Sequence, residues 1–277
     1  MNPETMVTAV APPIPEELMS AEMLIGELDI SHIVTEDDTP VDNLFSEKQQ
    51  RLLTEPLFSN WDGGARQRPF VVAANVGLYP DIGGSPIVPD VFLSMDVGIA
   101  EDWYARRHRT YFFWEFGKAP EIVIEVVSNR EGGEDTRKLV QYARIGIAHY
   151  VIFDPTLALS DQMLRTYELR HQQYEQVEAA WFRGVELGLT LWEGSYEGKV
   201  ATWLRWYDQN RELIPTGAES TAQAEERAVE AEERAAEAEE RAAEAAERAR
   251  SEAEARRAAE AEVARLRAEL ERLRGQA

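Results

Sequence analysis

Two carboxylates and a lysine near the middle of the chain are residue types that can perform metal-assisted chemistry. Asp90 follows a proline in VPDVFLSM, and Glu125 lies inside the apolar stretch IVIEVVS. A carboxylate among valine and isoleucine is costly to bury unless it is paired, protonated or bound to a metal. Oxygen ligands of this kind suit Mg²⁺ or Mn²⁺. With Lys138 reaching over them, the three residues predict a pocket in which Asp90 and Glu125 hold the metal.

Each member of this set also has a purely structural explanation. Asp90, after its proline, can simply cap a turn. Glu125 can form a buried ion pair with Lys138 or Arg137 that has no part in catalysis. Lys138 can be an exposed helix residue. Residue type and spacing alone therefore leave both interpretations open.

A sheet with flanking helices is needed to bring these residues together. Apolar and β-branched runs predict strands at 70–74, 87–93, 111–115, 121–128 and 149–155. Helices are predicted at 44–59, with Leu44 on its apolar side, and at 134–146. The stretches from 162 to 194 favour an antiparallel meander. A strand–helix–strand unit among antiparallel strands indicates an α/β fold with a mixed sheet flanked by helices.

Alternation along the 121–128 strand predicts which face of the sheet carries the glutamate. Successive side chains of a strand point to opposite faces, so Val123, Glu125 and Val127 should share one face. The site is therefore expected on the side of the sheet that also receives the following helix.

The C-terminal part of the chain is a separate, repetitive segment. Residues 219–274 are almost wholly Ala, Glu and Arg, and the units AEERAVE and AEERAAE recur every seven residues. This repeat predicts a long helix with a 4-3-4-3 stripe of alanines from Ala224 to Ala249. Glu252 and Arg256 interrupt the stripe, and it resumes with Ala259, Val263, Leu266, Leu270 and Leu273. A weak coiled coil that makes a homo-oligomer through 219–274 and a solvated single helix held by Glu–Arg pairs are equally compatible with it.

The predicted organisation has three parts: a mobile leader at 1–39, a catalytic domain at 40–213, and the heptad helix at 214–277. The N-terminus lacks the features of a signal peptide, and no run of 18 apolar residues predicts a membrane span. The absence of cysteine fits a reducing compartment, so a cytoplasmic location is expected. The net charge of -22 opposes tight general DNA binding, yet does not exclude a pocket that recruits divalent cations.

An ordered series of short motifs resembles the Uma-type family of putative restriction endonucleases. The resemblance spans about 40 to 205. Its matching positions are Pro89, Asp90, Glu125 to Ser128, Asp135, Lys138, Tyr142, Gly146, Tyr150, Asp154 and Pro155. The resemblance implies the restriction-endonuclease-like PD-(D/E)XK fold and metal-dependent cleavage of DNA. It also implies that Asp90, Glu125 and Lys138 are catalytic.

The sequence departs from the wider nuclease pattern at the usual lysine. That pattern places the lysine two residues after the glutamate, where this chain has Val127, so the role must pass to Lys138. Glu47 or Gln50 could supply a further metal ligand, although a solvated helix face explains them as well. Trp103 and the other tryptophans are interpreted as core or surface-packing residues, with a base-stacking platform as the alternative that no basic interleaving supports. The alternative function is a non-catalytic interaction protein that keeps the fold and associates through its C-terminal helix.

Overall fold

The structure, a computed structural model, describes residues 43–128 and 133–274. The chain divides into two compact units between Gly217 and Ala218. The predicted leader at 1–39 lies outside the described residues. Within the described residues no helix is long and apolar enough to span a membrane.

A mixed sheet of six strands forms the centre of the first unit. Its strands, in spatial order, are β1 (Phe70–Ala74), β3 (Val91–Met95), β5 (Ile122–Val126), β6 (His149–Phe153), β7 (Leu164–Arg170) and β8 (Gln173–Val177). The β5–β6 pair is parallel and the other neighbours are antiparallel. The predicted α/β class with a mixed sheet is confirmed.

Two smaller sheets and several helices surround this centre. Strands β9 (Trp181–Phe182), β10 (Leu187–Tyr196) and β11 (Lys199–Tyr207) form an antiparallel sheet, and β2 (Leu78–Tyr79) pairs in parallel with β4 (Tyr111–Phe112). The helices of this unit are α1 (Leu44–Asn60), α2 (Phe113–Phe116) and α3 (Leu139–Arg144), with a 3₁₀ turn at Arg106–His108 and a π-helical turn at Glu134–Lys138.

Each face of the central sheet has its own apolar core. On one face Ile122, Ile124 and Val126 pack with α1 and the three-stranded sheet. On the other face Val123 and Val127 pack with Tyr142 of α3 and with aromatic residues of β3, β4 and β6. The predicted alternation of β5 is thereby confirmed, because Glu125 contacts Tyr142 and lies on the second face with Val123 and Val127.

The first helix shows how local signals and packing combine. Its first turn begins at Asn43, whose side chain accepts the backbone N–H groups of Phe45 and Ser46, both at 2.9 Å. Leu53 and other leucines predicted for its apolar side are buried. The prediction was wrong for Leu44, which is 82% exposed because it lies at the very start of the helix, beyond the edge of the core.

Several predicted boundaries differ from the observed ones. The strand expected at 87–93 is Val91–Met95, and only Ile87 of its beginning forms an isolated bridge. The strand expected at 111–115 ends at Phe112, since the chain then turns into the short helix α2. Strand β11 was not predicted; its pattern of bulky residues has no clear period of two.

The second unit consists of helix α4 (Gly217–Arg274), which confirms the predicted helix. Its surface carries i,i+4 ion pairs such as Arg234–Glu230 at 2.7 Å and Arg241–Glu237 at 2.6 Å. At about 1.5 Å per residue its 58 residues extend to about 87 Å. Val263, Leu266 and Leu270 are about half exposed.

Candidate active site

The pairing of β3 with β5 brings the two predicted carboxylates side by side. Val91 pairs with Ile124 in an antiparallel register, so the next position along the ladder sets Asp90 opposite Glu125. Neighbouring strands lie about 4.8 Å apart, a spacing that lets two carboxyl groups meet at the end of the ladder. Glu125 lies on β5 as the sequence predicts, whereas Asp90 lies one residue before β3, at the start of that strand.

Asp90 is fixed by groups from two different elements. Its Oδ1 accepts a hydrogen bond from Nε2 of Gln50 at 2.9 Å, and its Oδ2 accepts the backbone N–H of Val126 at 2.7 Å. The Gln50 amide is itself held, because its oxygen accepts from Asn75 at 2.8 Å. Asp90 is 9% exposed. The carboxyl group therefore has a defined orientation beside Glu125.

Glu125 is buried in the sheet and receives two hydrogen bonds from the helix that follows. It is only 1% exposed. Nζ of Lys138 lies 2.8 Å from Oε2, and the hydroxyl of Tyr142 donates to Oε1 at 2.6 Å. Both oxygens of this buried carboxyl are thus satisfied by side chains of one helical segment.

The π-helical turn determines which side of the segment faces the sheet. Gly133 has a φ of 71° and accepts the N–H of Lys138 at 3.0 Å, an i to i+5 bond. Residues four apart lie on one face of a helix, so Lys138 and Tyr142 reach Glu125 together. Single π-helical turns occur frequently at functional sites.

Burial raises the pKa of both carboxyls, and repulsion by Asp90 adds to the shift at Glu125. Burial, and after it the Asp90 carboxylate, raise the pKa of Glu125 to about 8, a net shift that Lys138 and Tyr142 oppose. Burial also raises the pKa of Asp90, against the Val126 N–H and Lys138. Burial alone would lower the pKa of Lys138, but Glu125 outweighs it and the pKa is raised. The pKa of Glu125 is therefore held well above that of an exposed glutamate.

The donor set fits a hard divalent cation. Asp90 and Glu125 offer four carboxylate oxygens, and each accepts one hydrogen bond and keeps a further lone pair. Across residues 43–128 and 133–274 no group of three or more His, Cys, Asp or Glu side chains could hold a metal. Mg²⁺ is commonly bound by only one or two carboxylates together with water and substrate phosphates, so two carboxylates suffice.

The remaining candidates have other surroundings. Val127 occupies the position two residues after the glutamate, where related nucleases have the lysine, and its side chain is buried in the core. Glu47 forms an ion pair with Arg51 and has no contact with Asp90. Gln50 does lie in the site, but it presents its amide nitrogen to Asp90 and engages its oxygen with Asn75. As oriented, it is a hydrogen-bond donor to a carboxylate.

Two residues of the site were missed by sequence reasoning. Tyr142 was noted only as part of the family motif, although its spacing of four from Lys138 indicates the shared face. Glu134 lies beside Lys138, with 3.8 Å between its Oε1 and Nζ, and its Oε2 is buried without a hydrogen-bond partner. No sequence signal separates Glu134 from an ordinary first-turn acid. Asp154 caps the turn after β6, as its position before Pro155 predicts, by accepting from the N–H of Ala158 and of Leu159.

Comparison with known protein families gives one match. The model of the Uma2 family, described as "Putative restriction endonuclease", matches residues 35–193, more than half of the 277 residues. No curated protein matches the chain. The family match confirms the resemblance read from the ordered motifs, and it covers α1 and all three members of the predicted catalytic set.

Proposed function

We propose, from the premise that this chain belongs to the Uma2 family of putative restriction endonucleases, that it is a metal-dependent endonuclease. In this proposal Mg²⁺ or Mn²⁺ is held by Asp90 and Glu125, and Lys138 is the third catalytic residue. The substrate is DNA, whose phosphodiester bonds are hydrolysed. The family supports nuclease activity, and the metal and the residue roles are our own inference.

One observation carries the assignment. Asp90, directly before β3, and Glu125, on β5, are both buried, and the Lys138 ammonium group lies 2.8 Å from Glu125. A purely structural ion pair needs one carboxylate for one ammonium group. Here a second buried carboxylate raises the pKa of the first, and that arrangement is unfavourable for stability alone. Two carboxylates that repel each other are suited to sharing a divalent cation.

The chain's own residues can bind and orient the reacting groups. Gln50 and the Val126 N–H fix Asp90, and Tyr142 fixes Glu125, so the two carboxylates are preorganised. A bound divalent cation supplies Lewis-acid polarisation of the scissile phosphate and lowers the pKa of an attacking water. Lys138 places a fixed positive charge where negative charge develops during hydrolysis. A bound divalent cation would favour the ionised form of Glu125, since a proton and a cation compete for the same oxygens.

A cleavage assay with a matched pair of variants tests this function. Wild-type protein should cleave plasmid DNA when Mg²⁺ or Mn²⁺ is present and not after chelation. Glu125→Gln keeps the shape of the side chain but removes a ligand charge, so cleavage should be lost. Glu193→Gln makes the same change at an exposed position on β10 and should cleave like the wild type. Equal rates for Glu125→Gln and the wild type would refute the assignment.

A second function, association through α4, is supported by the apolar side chains at its C-terminal end. Val263, Leu266 and Leu270 follow the 4-3-4-3 register, and each is exposed by 47–54% in the single chain. Three such residues on one side of a charged helix are a candidate coiled-coil seam. We infer that the helix joins two copies of the chain, with its seam firmest at this end.

The mass of the full-length protein in solution tests this association. Leu266→Glu with Leu270→Glu places charges in the seam and should convert an oligomer to a monomer. Changing two exposed residues off the seam, Ala236→Glu with Ala243→Glu, adds the same charge and should leave the mass unchanged. A wild-type protein that is monomeric at high micromolar concentration would contradict the proposal.

A further inference from the structure

A cavity of about 290 Å³ opens beside Phe92 of β3, outside the carboxylate site. Its apolar walls include Val71, Phe92, Tyr111 and Phe116. Trp103 and Arg109, from the loop that follows β3, stand at its rim. An apolar slot with a few polar groups at its mouth is typical of a small-ligand site.

Unusually exposed aromatic side chains lie in this loop. Trp103 is 57% exposed and Tyr104 is 74% exposed, and their rings meet edge to face with centroids 5.6 Å apart. Ile99, also at the cavity, is 56% exposed. Trp103 is therefore no core residue, and of the sequence interpretations surface packing and a base-stacking platform remain. Exposed aromatic groups at a cavity mark binding sites more often than surface packing.

Arginines follow these aromatic residues directly. Arg106, Arg107 and Arg109 are all exposed, and Nε of Arg109 donates to the carbonyl of Tyr104 at 2.9 Å, which ties the basic turn to the aromatic pair. Glu101, Asp102 and Glu115 are nearby acids. Aromatic rings combined with arginines form the usual platform for unstacked nucleic acid.

The overall negative charge does not forbid such a partner at this surface. Residues 1–42 contain ten acidic and no Lys or Arg residues, while residues 43–217 contain 24 acidic and 18 basic ones. Much of the negative charge thus belongs to the N-terminal segment. At physiological ionic strength fields are screened over about 8 Å, so the arginine turn acts locally.

The cavity lies on the same face of the sheet as Glu125. Phe92 forms its wall and belongs to the core that contains Val123, Val127 and Tyr142. Phe92 is two residues from Asp90 along the chain, about 7 Å of extended strand. A nucleic-acid strand that passes the carboxylates could therefore place a neighbouring base at the cavity.

We propose that this cavity receives one unstacked nucleobase of the DNA substrate. The base stacks on Trp103, and Arg106 and Arg107 meet the flanking phosphates. The inference rests on the proposed endonuclease function for the identity of the polymer. It predicts that the enzyme prefers DNA in which at least one nucleotide is unpaired, because taking a base out of a duplex costs unstacking energy.

Binding, measured without cleavage, tests the pocket. The full-length Glu125→Gln protein serves as the background, and anisotropy of a fluorescein-labelled single-stranded oligodeoxynucleotide reports its affinity. Trp103→Ala should weaken binding about ten- to a hundredfold, the usual effect of removing one base-stacking ring. Phe58→Ala removes another exposed aromatic ring and should have no effect. Arg107→Gln should weaken binding and reduce its salt dependence, whereas the exposed Arg183→Gln should not.

An abasic oligonucleotide of the same length separates base stacking from phosphate attraction. Trp103→Ala should leave the affinity for this strand unchanged, and Arg107→Gln should still weaken it. If the wild type cleaves DNA and Trp103→Ala binds the normal oligonucleotide as well as its background protein does, the pocket proposal fails and the endonuclease proposal stands. That result would favour a protein partner for this surface. If the protein neither binds nor cleaves DNA, both proposals fail.

Discussion

The candidate site and helix α4 each contain a glutamate paired with a basic side chain, and the two pairs have nearly the same distance between nitrogen and oxygen. Lys138 lies 2.8 Å from Glu125, and Arg234 lies 2.7 Å from Glu230. The Glu125 side chain is 1% exposed, whereas the side chains of the helical pair are 52% and 76% exposed. Water screens the helical pair and leaves it worth a few tenths of a kcal/mol, about 0.3–0.5. Environment rather than geometry therefore separates the region suited to chemistry from the region that is a solvated surface.

Replacing the basic residue of each pair should give the largest difference in cleavage rate between two variants. Lys138→Met leaves the developing charge at the scissile phosphate without its ammonium group, so cleavage should fall by about 10²–10³-fold. Arg234→Met makes the same change on α4 and should not alter the rate. Initial rates of plasmid cleavage with Mg²⁺ give the comparison. Similar rates for the two variants would show that the buried pair has no catalytic role.

The pH dependence of stability should distinguish the buried carboxyl from every surface one. The pKa of Glu125 is raised from 4.5 to about 8, so below pH 4.5 both the folded and the unfolded state carry the proton. Between pH 4.5 and 8 only the unfolded state ionises, and wild-type stability should fall by up to about 1.4 kcal/mol per pH unit. Above pH 8 both states are ionised and the loss stays constant.

Denaturant unfolding of the cation-free protein at pH 5 and pH 8 measures this loss. Glu125→Gln cannot ionise, so it should gain stability relative to the wild type between the two pH values. Adding Mg²⁺ at pH 8 should restore the stability of the wild type and leave that of the variant unchanged, since the metal ion replaces the lost proton. A difference between wild type and variant that is independent of pH would contradict the shifted pKa.

A smaller effect is expected from the hydroxyl that orients Glu125. Tyr142→Phe removes a hydrogen bond of 2.6 Å to the carboxyl and should reduce cation affinity or cleavage about 10–100-fold. Tyr174→Phe is the matched control, because its hydroxyl donates to the Ile147 carbonyl at 2.8 Å. Both variants should lose about 1 kcal/mol of stability, and only Tyr142→Phe should change activity. Titration calorimetry with Mn²⁺ and cleavage rates separate the two.

The smallest effect belongs to the surface pairs of α4. Glu230→Gln breaks one i,i+4 pair and should change the free energy of unfolding by no more than about 0.5 kcal/mol. The change should vanish in high salt, because exposed charges are screened. Thermal melts followed by circular dichroism at low and high salt provide the measurement. A loss as large as that expected for Tyr142→Phe, about 1 kcal/mol, would mean that α4 is buried in an assembly.

The sequence predicts the part of the site that lies on the sheet, and the reason is physical. A glutamate inside IVIEVVS must be buried, and burying an unpaired carboxylate costs free energy. The sequence alone therefore predicts that Glu125 has a partner. Asp90 and Lys138 follow from the family order. Val123 and Val127 fall on the predicted face because alternation along a strand has a fixed period.

The residues that orient the carboxylates could not be predicted in the same way. Gln50 comes from α1, forty residues before Asp90, and only the packing of that helix against the sheet brings them together. Tyr142 could have been predicted from its spacing, but the π-helical turn before it changes the register of the segment and has no clear sequence signal. The strand predicted at 111–115 ends at Phe112, and its end was misplaced because the first residues of the following short helix are also aromatic, a residue type that favours strands.

The hydrogen bond from the Val126 amide to Asp90 gives this protein a native reporter of its own site. This backbone N–H belongs to the residue after Glu125 and donates to Oδ2 of Asp90 at 2.7 Å. Its magnetic resonance frequency depends on the charge of the carboxylate that accepts it. A nitrogen–proton spectrum of unmodified protein, recorded during titration with acid or with Mg²⁺, would therefore register protonation and cation loading at one identifiable peak.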